Sequence, residues 1–263
     1  AKIREHLTEF SKLYDRLSEN METYVELFPI HPAYLSTFEN VHNIEKRIAL
    51  KTITNEMKKI INDDVPIDDP GLVSYDSYWA YIEEDPSYKT IPEVREVMDK
   101  VSILKDRINS AFPSTKRRYQ KMSIRIVNAM ALNRLTTDDI YSKVGMTSDE
   151  LKDDLFLTIP GQMDMLLEDP DPAGFLKTNI DVAIKTIMET VSYQYISVNE
   201  VNAQYYLDLK KDIDVDSLIA DRAEIIEADT MDRYYFDLLQ NAIALDDLTY
   251  ISGYKIWSYE LPW

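Results

Sequence analysis

The sequence predicts a mainly α-helical protein carrying one β-hairpin, and three observations support that fold class. Apolar residues recur at helical spacing: Ile3, Leu7, Phe10, Tyr14, Leu17, Met21 and Tyr24 alternate steps of four and three, and Ile180, Ile184, Ile187 and Val191 share one side. Helix starts are marked, with Thr90/Glu93 and Thr147/Glu150 spaced as capping boxes. Strand-like alternation is confined to Tyr193–Val198, Gln204–Leu209 and the terminal Tyr250–Leu261.

A helical part is expected over residues 1–113. Ile3–Leu27 reads as one long amphipathic helix, and its three heptads favour a face laid on its own domain over a coiled-coil seam. Pro29 closes that pattern, because proline cannot continue a helix and restricts the residue before it. Pro32 suits the first turn of a second helix reaching Val41, with His31 near its cap. A third helix over Ile44–Ile61 carries Glu45, Lys46 and Arg47 at its start. The Asp-, Pro- and Gly-rich connector Asn62–Leu72 leads to an aromatic helix near Tyr75–Ile82 and a longer one over Ile91–Phe112, with Pro92 in its first turn.

Residues 114–213 read as three helices and a hairpin, a winged-helix-like arrangement. Ile124, Val127 and Ala131 give the first helix its inner stripe; Thr137–Val144 is the second; Gly145 suits the turn; Ser148–Phe156 is the third. An insertion near 157–173 interrupts before a helix over Phe175–Val191. In the hairpin, with loop Asn199–Ala203, Tyr205, Leu207 and Leu209 alternate with Tyr206 and Asp208, which predicts one buried and one wet face. Residues 214–263 read as a helical tail of two helices within Val215–Leu245, ending in the strand-like segment.

Composition excludes several function classes. Cysteine is absent, which removes disulfides and thiolate metal sites and fits a cytoplasmic protein. The formal net charge of −18 argues against a whole surface built for nucleic acid or anionic membrane. No run approaches the ~20 apolar residues of a membrane span, and no basic-then-apolar signal segment opens the chain. The chain has five glycines, and neither GxxxxGK[ST] nor GxGxxG can be drawn through them, so no phosphate-cradling loop is present. A start at Ala1 and an end at Trp263, directly after a strand-like run, suggest a piece of something longer.

The stretch FPIHPAYLSTFENVHNIEKR, Phe28–Arg47, is a proline-bracketed aromatic turn aiming an Arg-bearing helix. It resembles the helical lid beside the nucleotide site of AAA+-like P-loop ATPases. With Val65–Trp79, Asn133–Tyr141, Asn202–Ile213 and Asp232–Leu239, it resembles more closely the large ATP-binding proteins of BREX-type phage-defence systems. The resemblance implies Walker motifs ahead of residue 1, and ATP and magnesium bound by the intact parent with no cofactor in this chain. It also implies, as partners, the P-loop core of the same polypeptide and other defence subunits. Arg47, with Lys46 as substitute, would then reach the terminal phosphates, a task suited to a planar, always-charged guanidinium. The plainer alternative pairs Arg47 with Glu45 on an ordinary helix face.

Other candidates carry weaker signals. His31 reads as a helix cap, and His6, His31 and His42 show no zinc spacing. The acid pairs Asp63-Asp64, Asp68-Asp69, Asp138-Asp139, Asp153-Asp154 and Asp246-Asp247 fit caps and solvated turns better than acid–base chemistry. Lys116, Arg117, Arg118, Lys121 and Arg125 form the one basic cluster, a candidate nonspecific DNA patch. Acids on the helix over Ser148–Phe156 argue against that helix reading a groove. The aromatic clusters Tyr75/Tyr78/Trp79/Tyr81 and Tyr234/Tyr235/Phe236 lie among acids and read as packing or protein-contact residues. Together these features predict a non-catalytic part that couples a parent ATPase's nucleotide state to proteins or DNA. The alternatives are a DNA-binding module and a helical interaction scaffold.

Overall fold

A computed structural model describes residues 1–41, 46–62, 69–211, 215–224 and 226–243. The chain divides into two compact units, 1–214 and 215–263.

The long first helix is in fact three: α1 (Lys2–Phe10), α2 (Asp15–Glu19) and α3 (Met21–Leu27). The seven-residue spacing still marks the buried side, since Leu7, Phe10, Tyr14, Leu17 and Tyr24 are all buried in their own unit, while Ile3 is exposed. Distant partners break the helix. Tyr14 is extended, stacks on Phe156 with ring centroids 4.1 Å apart and donates to the Leu157 carbonyl at 2.9 Å. The next N–H, of Asp15, donates to Asp153 Oδ1 at 3.1 Å instead of back along a helix.

Phe28–His31 is held by backbone pairing to residue 73: the His31 N–H donates to the Val73 carbonyl (3.0 Å) and the Val73 N–H to the Pro29 carbonyl (2.7 Å). α4 (Pro32–Asn40) leaves this turn, and α5 (Lys46–Asn62) follows. Next come α6 (Asp76–Glu84), a 3-10 helix at Pro86–Thr90 and α7 (Pro92–Ala111). The expected Thr90/Glu93 capping box does not form. Thr90 Oγ1 donates to the Ser87 carbonyl within the 3-10 helix, and Ile91 takes the N-cap position.

α8 (Gln120–Arg134) begins later than Lys116, because Ser114–Tyr119 forms a 3-10 helix. It is the central element, packed against α6, α7 and later helices, with Met122, Ile126, Val127, Met130, Ala131 and Leu132 buried. The expected second helix at Thr137–Val144 is a series of turns. Thr137 Oγ1 donates to the Arg134 and Asp139 carbonyls, and Asp139 Oδ1 accepts from the Tyr141 N–H. Such short side chains offer the backbone a local alternative to helical pairing. α9 (Ser148–Leu155) carries the expected capping box of Thr147 and Glu150. α10 (Met163–Glu168) occupies the insertion, and α11 (Pro172–Thr190) follows.

β1 (Ile196–Asn199) and β2 (Gln204–Leu207) pair antiparallel, Ile196 opposite Leu207 and Asn199 opposite Gln204. Met146 joins them through an isolated antiparallel bridge to Tyr205. Gly145 serves this approach: a Cβ there would meet the Tyr205 carbonyl oxygen at 2.0 Å. The predicted wet face is covered at Tyr206, which is buried beneath the Arg134 guanidinium, 5.7 Å from its ring centroid.

The boundary drawn at 113/114 falls inside the first unit, between α7 and α8, which pack on each other. The second unit holds α12 (Val215–Glu224) and α13 (Ala228–Ile243). The terminal strand-like segment lies outside the described residues.

Candidate functional site

Lys46 and Arg47 open α5, as the sequence predicts, and their side chains lie outside the described residues. His31 is the N-cap of α4: its Nδ1 accepts the Ala33 N–H at 3.0 Å. The ring is 1% exposed, with Phe156 and Tyr24 meeting it edge-on at 4.8 and 5.2 Å. Burial pulls its pKa down to about 3, so it stays neutral through ordinary pH.

Beside His31, α2, α3, α4 and α9 border an open cleft of about 360 Å³, whose lining residues include Arg16, Asn20, Thr23, Ser36, Thr37 and Asp154. Arg16 Nη1 is bonded to Asp154 Oδ1. Desolvation pushes the Asp154 carboxyl up to about 6, against the lowering effect of Arg16. Arg16 and Asp154 are 138 residues apart, and no local pattern in the sequence joins them.

Of the acids of α9, Asp153 is buried and Asp154 largely covered, whereas Asp149 is exposed. Lys152 is 1% exposed, with Nζ at 2.7 Å from Asp15 Oδ2, 3.6 Å from Asp149 and 3.9 Å from Asp153. Asp153 is itself buried, and burial raises its pKa. The α1–α3 segment is therefore anchored to α9 by charge and hydrogen bonds. Asp69 and Asp139 have the turn roles expected of them, accepting the Gly71 and Tyr141 N–H groups. Asp63, Asp64, Asp68, Asp246 and Asp247 fall outside the described residues.

The basic cluster separates into different environments. Arg125 turns inward: Nε donates to Asp76 Oδ2 at 2.9 Å and Nη2 to Ser74 Oγ at 2.7 Å and to the Leu155 carbonyl. Lys116 lies 3.4 Å from Glu189, and Arg118 donates to the Tyr119 hydroxyl at 2.8 Å. Arg117, Arg118 and Lys121 are exposed. Among the aromatic residues, Tyr75, Tyr78 and Trp79 are core, whereas Tyr234 and Tyr235 are exposed and Phe236 is buried. Among the described residues no three His, Asp or Glu side chains gather as a metal requires.

Residues 1–213 match the family described as DUF6079 second domain, and residues 217–263 match DUF6079 third domain. No match was found among curated proteins or among solved structures.

Proposed function

The chain belongs to the DUF6079 family, its second domain followed by its third, and on that premise we propose that it is a non-catalytic coupling part of a larger P-loop ATPase. In this reading, a phosphate-dependent displacement at the start of α5 is passed through the helical unit to partner subunits in a cytoplasmic phage-defence complex. The observation that carries it is the pinned turn: the backbones of Pro29 and His31 are both hydrogen-bonded to Val73, so α4, which precedes Lys46 and Arg47 in the chain, leaves from a fixed origin. A rigid origin lets a small shift at a helix start move packed elements as bodies. In keeping with this reading, no described helix is long and apolar enough to cross a membrane. In the intact parent, Arg47→Ala is expected to slow ATP turnover about tenfold or more with the unfolding midpoint unchanged. Normal turnover removes Arg47, and with it the lid position, from the reading.

We read α8, the Met146 bridge, α9, α11 and the β1–β2 hairpin as a winged-helix order, supported by the pairing of Met146 with the hairpin strand at Tyr205. The third helix is then α11, on which only Thr178 and Lys185 are exposed. A helix covered to that extent suits protein packing better than insertion into a DNA groove. The DNA alternative keeps one supporting observation, the exposure of Arg117, Arg118 and Lys121. Salt-sensitive duplex binding that Arg117→Glu with Arg118→Glu abolishes would favour it, and no binding at low salt would remove it.

A further inference from the structure

The helices of the second unit carry uncovered apolar surface. Six of the fifteen exposed large apolar side chains among the described residues lie on α12 and α13, helices of only 10 and 16 residues. On α13 they form one face: Met231, Tyr234, Tyr235 and Leu238 stand at i, i+3, i+4 and i+7, each more than half exposed. Phe236 lies on the other side and is buried. The helix therefore has one apolar side turned inward and a second turned outward. Aromatic residues and Met are enriched in protein contacts. The spacing of these four is that of a helix anchored to a partner by its apolar face.

The charges around that face select its occupant. Asp237 flanks it and Glu227 stands one turn ahead of Met231, both exposed. Arg233, the only cation on α13, is two residues from both Met231 and Tyr235 and therefore on another side of the helix. Residues 215–243 hold seven Asp and Glu against two Arg, within a chain of net charge −18. A second copy would set like charge against like charge at this rim, which is costly, whereas a basic partner meets its complement. We propose that α13 docks, through Met231, Tyr234, Tyr235 and Leu238, onto an apolar helix face of a partner protein bordered by Lys or Arg. The acids steer the encounter and the apolar anchors hold the complex. This docking role is independent of the nucleotide coupling assigned to α5.

The test titrates a synthetic amphipathic helix of Leu and Lys, and its counterpart with Glu in place of Lys, into the 263-residue chain. The readouts are the Met231 methyl resonance by NMR, the dissociation constant and the unfolding midpoint. The Leu/Lys helix is expected to shift that resonance saturably, and the Leu/Glu helix to bind about tenfold more weakly or not at all. Tyr234→Ser with Leu238→Ser is expected to weaken binding of the Leu/Lys helix about tenfold or more, with the unfolding midpoint unchanged. Asp237→Lys is expected to weaken it several-fold; an unchanged affinity would remove the charge selection and with it the basic partner. No saturable shift with the Leu/Lys helix overturns the proposal, as does binding that survives the double serine variant unweakened. A Met231 resonance that moves with chain concentration alone means that a second copy covers the face, and overturns it too. A double serine variant that unfolds as readily as a core substitution shows the face to be covered by this chain itself, and overturns it equally.

Discussion

Burial holds the His31 imidazole at about 3, where an unfolded chain protonates it near 6.5. Its contribution to stability is therefore present above pH 6.5 and is lost as pH falls toward 3. Asp154 has the opposite sign. Its folded value of about 6 lies above the ordinary 3.8, so the fold favours the protonated acid and stability is lost as pH rises through that window. The two effects offset each other between about pH 6 and 4. Asp154→Asn is expected to leave only the histidine slope, so its urea midpoint falls more steeply on acidification than that of the parent. His31→Asn, which retains a cap acceptor, is expected to flatten or reverse the slope; superimposable profiles for all three chains contradict both assignments. Arg125 gives a sharper test of residue roles. Arg125→Ala strands the buried Asp76 carboxylate and is expected to cost about 3–5 kcal/mol, whereas exposed Arg117→Ala stays within about 0.5 kcal/mol. Equal costs in chemical unfolding would show that Arg125 is an ordinary member of the surface cluster. The sequence alone does not separate these two arginines, because what distinguishes them is Ser74 and Asp76 on a different element.

Thr90 and Thr147 carry the same local signal, and the fold uses only one. Thr147→Ala is expected to destabilise the chain by about 1 kcal/mol through loss of the α9 cap, and Thr90→Ala by clearly less; equal unfolding midpoints for the two variants would refute the distinction. The pattern S/T-x-x-E is legible in the sequence, but the 3-10 helix that consumes Thr90 is not. Gly145→Ala is expected to cost about 1–3 kcal/mol, because its methyl would meet the Tyr205 carbonyl; a midpoint within a few tenths of the parent's would contradict that close approach. Periodicity locates the core faces well: the heptad positions from Leu7 to Tyr24 are buried although the helix beneath them is broken. The break at Tyr14 depends on Phe156, Leu157 and Asp153, all remote in sequence, so no local pattern could place it. At Thr137–Val144 the helical apolar pattern yields to Thr and Asp side chains that satisfy the backbone themselves. The hairpin was readable from alternation, yet its second face was not, because the residue covering Tyr206 is a buried arginine on α8.

At the scale of the whole chain, the two compact units, 1–214 and 215–263, correspond closely to the matches to the family's second and third domains. The polar cleft, the pinned turn and the α9 anchor all lie within the first unit. In the proposed coupling, α4 and α5 are the segment through which a nucleotide-dependent displacement would enter. The most direct measurement is hydrogen exchange on the intact parent with and without a non-hydrolysable ATP analogue. Coupling through the lid position predicts altered protection across α4 and α5, with the core of α8 unchanged; identical exchange in α4 and α5 in both states would contradict it.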